Sequence, residues 1–347
     1  MNQYAQVQGD RPTKILCDLR SDTVTRPDAA MRQAMADAEV GDDVFGDDPT
    51  VNRLEAVLAE RLGKDAGLFL TSGTQSNFVG LLAHCARGDE IITGRPYHIY
   101  KYEAKGASVL GGIAFDALDV SDDGALDPAQ ITAAVKEDDP HLPMSRLLGL
   151  ENTHNGIAIP LTRLSDAVMA GRDAGLAVHL DGARYFNAVS ALNCPEYALA
   201  DFFDSVSICL SKGLGAPVGS VLLGPTELID RARRWRKMLG GGTRQAGVLA
   251  AAALHALDHN VARLGDDHAR AAALADALRP FGTVQQSTNM IFFTPPGGVT
   301  PALPAHMAQH GVQLTGATGT TRLVLHKDVS DDGLSAAIEG FKSYFGA

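Results

Sequence analysis

The chain has 347 residues, of which 45% are hydrophobic and 20% charged, a balance typical of globular proteins. No apolar run approaches the ~18–20 residues that a transmembrane helix needs, and the polar first residues lack the apolar stretch of a signal peptide. The net charge of −11 argues against nucleic-acid binding, because phosphate contacts require a surplus of basic side chains.

Short apolar runs alternate with helical patterns along most of the chain, which indicates an α/β fold. The first predicted unit is a helix around residues 51–62, a strand at 67–70 and a further helix after the turn at 71–74. Because the later runs are continuously apolar, we expect strands that are covered on both faces of a mostly parallel sheet. These predicted strands are residues 147–150, 177–180, 206–210 and 220–223.

The pattern changes in the last hundred residues, where we expect a second domain. Helices are predicted around residues 248–257 and up to about residue 278, followed by strands at 289–293 and 322–326 around a Pro/Gly-rich segment. A single core rarely grows beyond ~250–300 residues, which also favours two domains. We predict an N-terminal extension (1–14), a large domain (15–250) and a small α+β domain (251–347).

The four cysteines, Cys17, Cys85, Cys194 and Cys209, form no C-x-x-C pair and match no zinc spacing. We therefore expect reduced thiols in a cytoplasmic protein, mostly serving as small core residues, and no metal site.

Two further groups of side chains receive a structural interpretation. A basic stretch is expected to be a solvated helix face rather than a nucleic-acid patch; it comprises Arg231, Arg233, Arg234, Arg236 and Lys237. His255 and His259 have helical spacing but lack the glutamate of a zinc-protease motif, so we expect them on a helix surface.

The first candidate site motif is Ser72-Gly73-Thr74, between a predicted strand and helix. Backbone N–H groups at a helix N-terminus carry partial positive charge and suit a phosphate, with the hydroxyl groups as additional donors. The same residue types would also form an ordinary helix cap, and the motif alone does not decide between the two.

Asp181 ends an apolar strand, so it should lie at the carboxyl edge of the sheet, where open α/β sheets bind ligands. A carboxylate so close to the core needs a cationic partner or several hydrogen bonds. A pyridinium N–H, the ring-nitrogen contact of pyridoxal-phosphate enzymes, would be such a partner. Internal pairing with Arg184 is the alternative.

Ser211 and Lys212 directly follow the predicted strand 206–210. A lysine at a strand end among small residues is poorly placed to reach solvent, and such lysines serve in Schiff-base chemistry. A surface lysine in a Gly-rich loop is the alternative. A dinucleotide turn at residues 213–219 is disfavoured, because the next apolar run begins at Ser220 and leaves no room for the crossover helix.

Two histidines, His98 and His154, follow strand-like segments in loop-like surroundings. Either could be a catalytic acid or base, although a lone histidine is more often structural. The order of a phosphate turn, a strand-end aspartate and then a strand-end lysine is the order expected of the large aminotransferase-like fold of pyridoxal-phosphate enzymes.

At this point the chain resembles the low-specificity L-threonine aldolases, pyridoxal-phosphate enzymes of the aspartate-aminotransferase-like fold (fold type I). The motifs that carry the resemblance run from about residue 18 to the C-terminus: DLRSDTVTRP at 18–27, GDDVFGDDP at 41–49, SGTQ at 72–75, LENTHNG at 150–156, HLDGAR at 179–184, LSKGLG at 210–215, RWRKM at 234–238 and RLVLH at 322–326.

The resemblance implies a role for each matching residue. Lys212 would carry the cofactor as a Schiff base, Asp181 would bind its pyridine nitrogen and His98 would stack on its ring. Cofactor contacts are further implied for Ser72, Gly73, Thr74, Arg184, Ser211 and Arg244. Substrate contacts are implied for Ser21, His154, Arg184 and Arg322, of which the two arginines match a carboxylate bidentately.

The reaction implied is cleavage of L-threonine, L-allo-threonine and related β-hydroxy amino acids to glycine and an aldehyde. His154 is the first choice for the base at the β-hydroxyl, with His98 or a water molecule as alternatives. The resemblance also implies a homotetramer with shared active sites, in which Arg244 and Lys237 could reach a neighbour's phosphate. Another pyridoxal-phosphate lyase or a racemase on the same fold is the alternative, and a dehydrogenase or a non-catalytic binding protein is disfavoured.

Overall fold

A computed structural model describes residues 14–298, 300–316 and 319–346 of the chain. The predicted N-terminal extension, residues 1–14, lies outside these residues except for Lys14. No helix within the described ranges is long and apolar enough to span a membrane.

Twelve strands are found in the described part of the chain. They are β1 (Cys17–Asp18), β2 (Ala66–Leu70), β3 (Asp89–Gly94), β4 (Ala114–Leu118), β5 (Met144–Glu151), β6 (Ala177–Gly182), β7 (Ser205–Cys209), β8 (Ser220–Gly224), β9 (Thr283–Ser287), β10 (Met290–Thr294), β11 (Val312–Gln313) and β12 (Thr321–Val324).

The α-helices of the described ranges are α1 (Ala29–Ala36), α2 (Pro49–Leu62), α3 (Gly73–His84), α4 (His98–Lys101), α5 (Gly106–Val109), α6 (Pro128–Ala134), α7 (Leu161–Asp173), α8 (Tyr185–Leu192), α9 (Glu196–Ala200), α10 (Thr226–Met238), α11 (Gly247–His259), α12 (Leu264–Leu278), α13 (Leu303–Gln309) and α14 (Asp331–Phe345). The chain forms two compact units. The large unit comprises residues 27–211 and 216–258, and the small unit comprises the described parts of 1–26, 212–215 and 259–347.

The large unit is built on a seven-stranded sheet with the order β2-β8-β7-β6-β5-β3-β4. Strand β8 runs antiparallel to both of its neighbours, β2 and β7, and all other pairs in the sheet are parallel. The six strands other than β8 therefore point the same way. This confirms the predicted α/β class and the mostly parallel sheet. All five strands predicted with bounds for this sheet are present; β3 is the strand-like segment noted before His98, whereas β4 was not predicted.

Helix α3 shows how the sheet is covered. Val79 and Ala83 lie on its buried face and pack with Leu68 and Leu70 of β2 and Leu222 of β8. Helix α10 closes the same core through its own buried side chains, Leu228, Ile229 and Ala232. The core fixes α3 on the sheet directly after β2, and its N-terminus is therefore held at the carboxyl edge.

The small unit contains two short sheets, one pairing β1 with β11 in parallel and one with the antiparallel order β12-β10-β9. Helices α12, α13 and α14 pack with these strands around one apolar cluster that includes Leu274, Phe293 and Phe341. The predicted α+β character of this region is confirmed, and β9 was not predicted because its sequence TVQQS is largely polar.

The basic stretch on α10 differs in part from the expected solvated face. Arg231, Arg234 and Lys237 are exposed, but Arg236 is buried. Its guanidinium group lies 2.8 Å from Asp43 and donates to the carbonyl oxygen of Phe69. The prediction was wrong for Arg236 because charge alone does not show which residue of a helix turns inward. Cys17, Cys85 and Cys209 are buried and all four thiols are free, as expected.

Asp48 explains much of the GDDVFGDDP motif. Its buried side chain caps α2 by accepting hydrogen bonds from Thr50 N and Val51 N, and it also accepts from Gly247 N at 2.8 Å. A Cβ atom at Gly247 would lie 2.5 Å from Asp48 Oδ1, so only glycine allows this approach. One carboxylate therefore joins the starts of α2 and α11.

We expect Asp48→Ala to lower the free energy of unfolding by about 3 kcal/mol, because it removes a helix cap and leaves buried N–H donors without an acceptor. Urea denaturation followed by circular dichroism measures this change. The control is Asp47→Ala, which alters an exposed neighbour and should change stability by less than ~0.5 kcal/mol. Equal stability of the two variants would contradict this account of the motif.

Candidate active site

The carboxyl edge of the large sheet gathers most of the residues singled out in the sequence. Parallel strands end at the same edge, so the residues that follow β2, β3, β5, β6 and β7 are neighbours there. The segments concerned are Ser72–Thr74 after β2, His98 after β3, Glu151–His154 at and after β5, Asp181 in β6 and Ser211 after β7. Ligands of open α/β sheets bind at this edge.

Ser72 caps α3 and accepts a hydrogen bond from Gln75 N at 3.1 Å. Ser72 and Thr74 are both exposed, and Gly73 is partly exposed. The first N–H groups of a helix have no partner within the helix, and they attract anions. The cap interpretation is therefore confirmed for Ser72, and the chemistry of the turn suits a phosphate as well.

Asp181 is buried, with 1% of its surface exposed. Its Oδ2 accepts a hydrogen bond from Asn77 Nδ2 at 2.8 Å, and its Oδ1 accepts one from Ala183 N at 3.0 Å. Within the described residues, no lysine, arginine or histidine forms an ion pair with this carboxylate. A buried carboxylate with only two neutral donors has capacity for a further, positively charged partner.

Glu103 places a second carboxylate beside Asp181. Asn77 Nδ2 donates to Glu103 Oε1 at 2.9 Å as well as to Asp181, and His98 Nδ1 lies 2.9 Å from the same Glu103 oxygen. Burial raises the pKa of Glu103, and the negative charge of Asp181 acts in the same direction, while the hydrogen bond with His98 opposes them.

One donor atom each of His98, Glu103 and Asp181 lies within 4.8 Å of the others, a spacing that could hold a metal ion. A pyridinium N–H could satisfy the same carboxylates. The side chain of His98 is 40% exposed, so its ring can contact a ligand.

Glu151 connects the two candidate histidines. Its Oε2 accepts from the backbone N–H of His98 at 2.6 Å, and its Oε1 lies 2.8 Å from Nδ1 of His154. A carboxylate can only accept, so His154 carries its proton on Nδ1. Asn155 Nδ2 lies 3.0 Å from Nε2, the nitrogen that keeps the lone pair.

Lys212 follows Ser211 directly in the chain and belongs to the small unit. Its side chain is partly buried, and its amine makes no hydrogen bond or ion pair with any described residue. The backbone carbonyl oxygen of Lys212 lies 2.8 Å from the hydroxyl group of Thr25, which can donate to it. The backbone at Lys212 is thus held while the amine stays available.

Ser21 and Arg322 both lie in the small unit. The hydroxyl group of Ser21 accepts from Thr23 N, and Nη2 of Arg322 lies 3.3 Å from the carbonyl oxygen of Arg20. Both side chains are partly exposed. The guanidinium group of Arg322 thus lies beside the backbone of Arg20, the residue before Ser21. A hydroxyl group and a guanidinium group together suit a carboxylate.

The two remaining arginines lie in the large unit. Arg184 precedes α8 and is partly exposed. Arg244 is exposed, and its guanidinium group lies 3.6 Å from Asp42.

Four residues that contact candidate residues were not singled out in the sequence: Asn77 contacts Asp181, Glu103 and Glu151 contact His98, and Thr25 contacts Lys212. Asn77 lies one turn after Thr74 on α3, and Glu151 belongs to the LENTHNG motif. Helical spacing from the turn at Ser72–Thr74 could therefore have pointed to Asn77. Glu103 gives no comparable signal, because its burial depends on packing.

The chain is similar to known proteins over nearly its whole length. Residues 18–294 match the family Beta-eliminating lyase. The low specificity L-threonine aldolase of Escherichia coli K12 is 49% identical over 331 residues, covering 95% of this chain and 99% of that protein. The probable low-specificity L-threonine aldolase 2 of Arabidopsis thaliana is 44% identical, covering 96% and 99%.

Among solved structures, a threonine aldolase of Leishmania major has the same fold, with a TM-score of 0.80 at 21% identity and coverage of 95% of this chain and 100% of that one. The sequence matches extend over nearly the whole chain and contain the motifs that form the carboxyl edge of the sheet. The chain therefore belongs to the Beta-eliminating lyase family and, within it, to the low-specificity L-threonine aldolases.

Proposed function

We propose that this protein is a pyridoxal-phosphate-dependent aldolase that reversibly cleaves L-threonine, L-allo-threonine and related β-hydroxy amino acids to glycine and an aldehyde. The observation that carries the proposal is the buried Asp181 carboxylate at the sheet edge, with two neutral donors and capacity for a cation. The names of two relatives, low-specificity L-threonine aldolases that are 49% and 44% identical over nearly the whole chain, support the substrate class.

The donor set of this chain fits pyridoxal phosphate. Lys212 would hold the cofactor covalently through its amine, which has no partner within the described ranges. The N-terminus of α3, with Ser72, Gly73 and Thr74, would bind the phosphate group, and Ser211 would add a hydroxyl group. When bound, the cofactor supplies an electron sink for the electron pair of the Cα–Cβ bond.

Asp181 would keep the pyridine nitrogen protonated, because an anion next to a basic nitrogen favours its charged form. His98 would lie against the ring and restrict its tilt, and its Nδ1 is held by Glu103. These residues would orient the ring and maintain its charge, which determines how well it accepts electrons.

Ser21, Arg184 and Arg322 would bind the substrate carboxylate. Their role would be to hold the substrate in one orientation, which selects the bond at Cα that is cleaved. Planar guanidinium groups suit this task because they bind a carboxylate through two parallel hydrogen bonds.

His154 would accept the proton of the substrate's β-hydroxyl group. Its contact with Glu151 orients the ring and leaves the lone pair on Nε2. Asn155 would give up its contact with Nε2 when a substrate hydroxyl takes that position. His98 or a water molecule remains the alternative base.

Self-association is part of the proposal. Val40, Val44, Phe45 and Met238 are exposed apolar side chains, and the Phe45 residue is 79% exposed. The loop that carries Val44 and Phe45 contacts the loop of Arg244, because Asp43 N donates to Arg244 O. Exposed apolar side chains beside the exposed Arg244 support a homotetramer in which Arg244, and Lys237 with it, reach a neighbour's phosphate.

The competing function is β-elimination, which the name of the matching family suggests. Product analysis after incubation with L-threonine separates the two. Aldol cleavage gives equal amounts of glycine and acetaldehyde, whereas elimination gives a keto acid and ammonia. Formation of the keto acid without glycine would show that the protein catalyses β-elimination and not aldol cleavage.

We expect Lys212→Ala to abolish both turnover and the visible absorbance band of bound cofactor, since the covalent link is lost. The spectrum and acetaldehyde release are measured on the same sample. Lys342→Ala, an exposed lysine on α14, is the control and should behave like the unmodified protein. An active Lys212→Ala variant with an unchanged spectrum would contradict the assignment.

Arg322→Ala should raise KM for L-threonine by roughly 10- to 100-fold, the loss expected for one hydrogen-bonded contact between charged groups. Initial-rate kinetics measure the effect. The control is Arg270→Ala, which removes an arginine that pairs with the exposed Asp331 in the same unit. Equal kinetics of the two variants would show that Arg322 does not bind the substrate.

His154→Phe keeps an aromatic ring against Tyr97 but removes the proton acceptor, so kcat should fall by ~10²-fold or more. His141→Phe alters a histidine whose side chain is 90% exposed and should leave kcat unchanged. A fall of only a fewfold at His154 would assign the proton transfer to another group.

A further inference from the structure

A chain of buried hydrogen bonds runs behind Asp181 and has no part in the steps above. His84 Nε2 lies 2.7 Å from Ser205 Oγ, which lies 2.8 Å from His179 Nδ1. The other ring nitrogen of His179 lies 3.3 Å from Asn77 Oδ1. Asn77 then donates to both Asp181 and Glu103. All of these residues belong to the large unit.

The two carboxylates determine the orientation of the Asn77 carboxamide. Carboxylate oxygens accept hydrogen bonds, so the amide nitrogen must face Asp181 and Glu103. The amide oxygen then faces His179, which must supply a donor from Nε2. A carboxamide turned the other way would place three oxygen atoms against each other in a buried, weakly polar environment, where an unsatisfied acceptor is costly.

The proton positions along the rest of the chain follow from this orientation. With its proton on Nε2, His179 presents an unprotonated Nδ1 that accepts from the Ser205 hydroxyl. Ser205 in turn accepts from Nε2 of His84. Burial lowers the pKa of His179 to about 3 and that of His84 to about 4, so both rings are neutral at physiological pH, as this pattern requires.

The packing around His179 leaves the ring little freedom. His179, Ser205 and Asn77 are almost completely buried. A Cβ atom at Gly80 of α3 would lie 3.2 Å from Cε1 of His179, so glycine at this position makes room for the imidazole ring. The close fit and the single consistent hydrogen-bond pattern indicate a defined role for this histidine rather than mere filling of space.

We propose that His179 is a positioning residue for the cofactor site: with Ser205 and His84 behind it, it fixes the Asn77 carboxamide and thereby holds Asp181 for the pyridine nitrogen. The inference rests on the proposed function, because it assumes that Asp181 contacts pyridoxal phosphate. It adds four residues to the groups that would determine the protonation of the pyridine ring: His84, Ser205, His179 and Asn77.

Two substitutions of nearly equal chemistry test this role. In His179→Gln the side-chain amide can reach the position of Nε2 and donate to Asn77. In His179→Asn the shorter amide reaches only the position of Nδ1, so the contact with Ser205 can be kept while the contact with Asn77 is lost. If the histidine served only to fill space, the two variants would be affected according to the volume that each removes.

The measurements are pyridoxal-phosphate affinity of the apoprotein by equilibrium dialysis, the absorbance spectrum of the bound cofactor, and kcat and KM for L-threonine. We expect His179→Asn to weaken cofactor binding and lower kcat by about tenfold or more, the size of one hydrogen bond to a polar network, with little change in KM. His179→Gln should stay within about threefold of the unmodified protein, less than ~1 kcal/mol. Equal effects in both variants, or no effect in either, would overturn the inference.

Ser205→Ala provides a second test should the His179 variants fail to fold, because it removes only a hydroxyl group. It frees Nδ1 of His179 from its donor, so cofactor affinity should fall, while His141→Ala, which alters a side chain that is 90% exposed and paired with Asp139, should leave it unchanged. Unchanged affinity in Ser205→Ala would count against the inference. Absence of cofactor binding and threonine cleavage in the unmodified protein would instead refute the proposed function.

Discussion

The site depends on one constraint, which is that a carboxylate lies buried at the end of a parallel strand. Asp181 is 1% exposed and receives two neutral hydrogen bonds, one from Asn77 and one from the backbone of Ala183. Burial of a charge is costly unless it is paired. Asn77 links this carboxylate to Glu103 and to the buried His179, and these hydrogen bonds hold it in one orientation.

The sheet provides the second part of the arrangement, because it collects distant segments of the chain at one edge. Ser72 and Asp181 are separated by more than a hundred residues, yet both lie where parallel strands end. Glu151 accepts from the backbone of His98 and lies beside the ring of His154, so two histidines on different segments depend on a single carboxylate. Substitution at Glu151 would therefore affect both candidate acid–base groups at once.

The sequence was sufficient to predict those features that depend on local pattern. Continuous apolar runs identified five of the seven strands of the large sheet, and small residues after a strand identified the turn at Ser72. Strand β4 was missed because Asp116 interrupts its apolar pattern. Arg236 was misjudged because its partner, Asp43, lies almost two hundred residues away in the sequence.

Features that depend on tertiary packing were beyond reach of the sequence. Nothing in the segment HIYKYE shows that Glu103 turns inward to meet Asn77, and His179 reads as an ordinary strand residue until Ser205 and Asn77 are seen on either side of its ring. These residues do not need to contact substrate to matter. They set the direction of hydrogen bonds at Asp181, and that direction is fixed only in the folded protein.

The role proposed for Asp181 is tested most directly by the protonation state of the pyridine nitrogen of bound pyridoxal phosphate. The purified protein is reconstituted with pyridoxal phosphate that carries ¹⁵N in the pyridine ring, and the nitrogen resonance is recorded by NMR. We expect a protonated nitrogen, since Asp181 would stabilise its positive charge. An unprotonated nitrogen, or a protein that does not take up the cofactor, would contradict it.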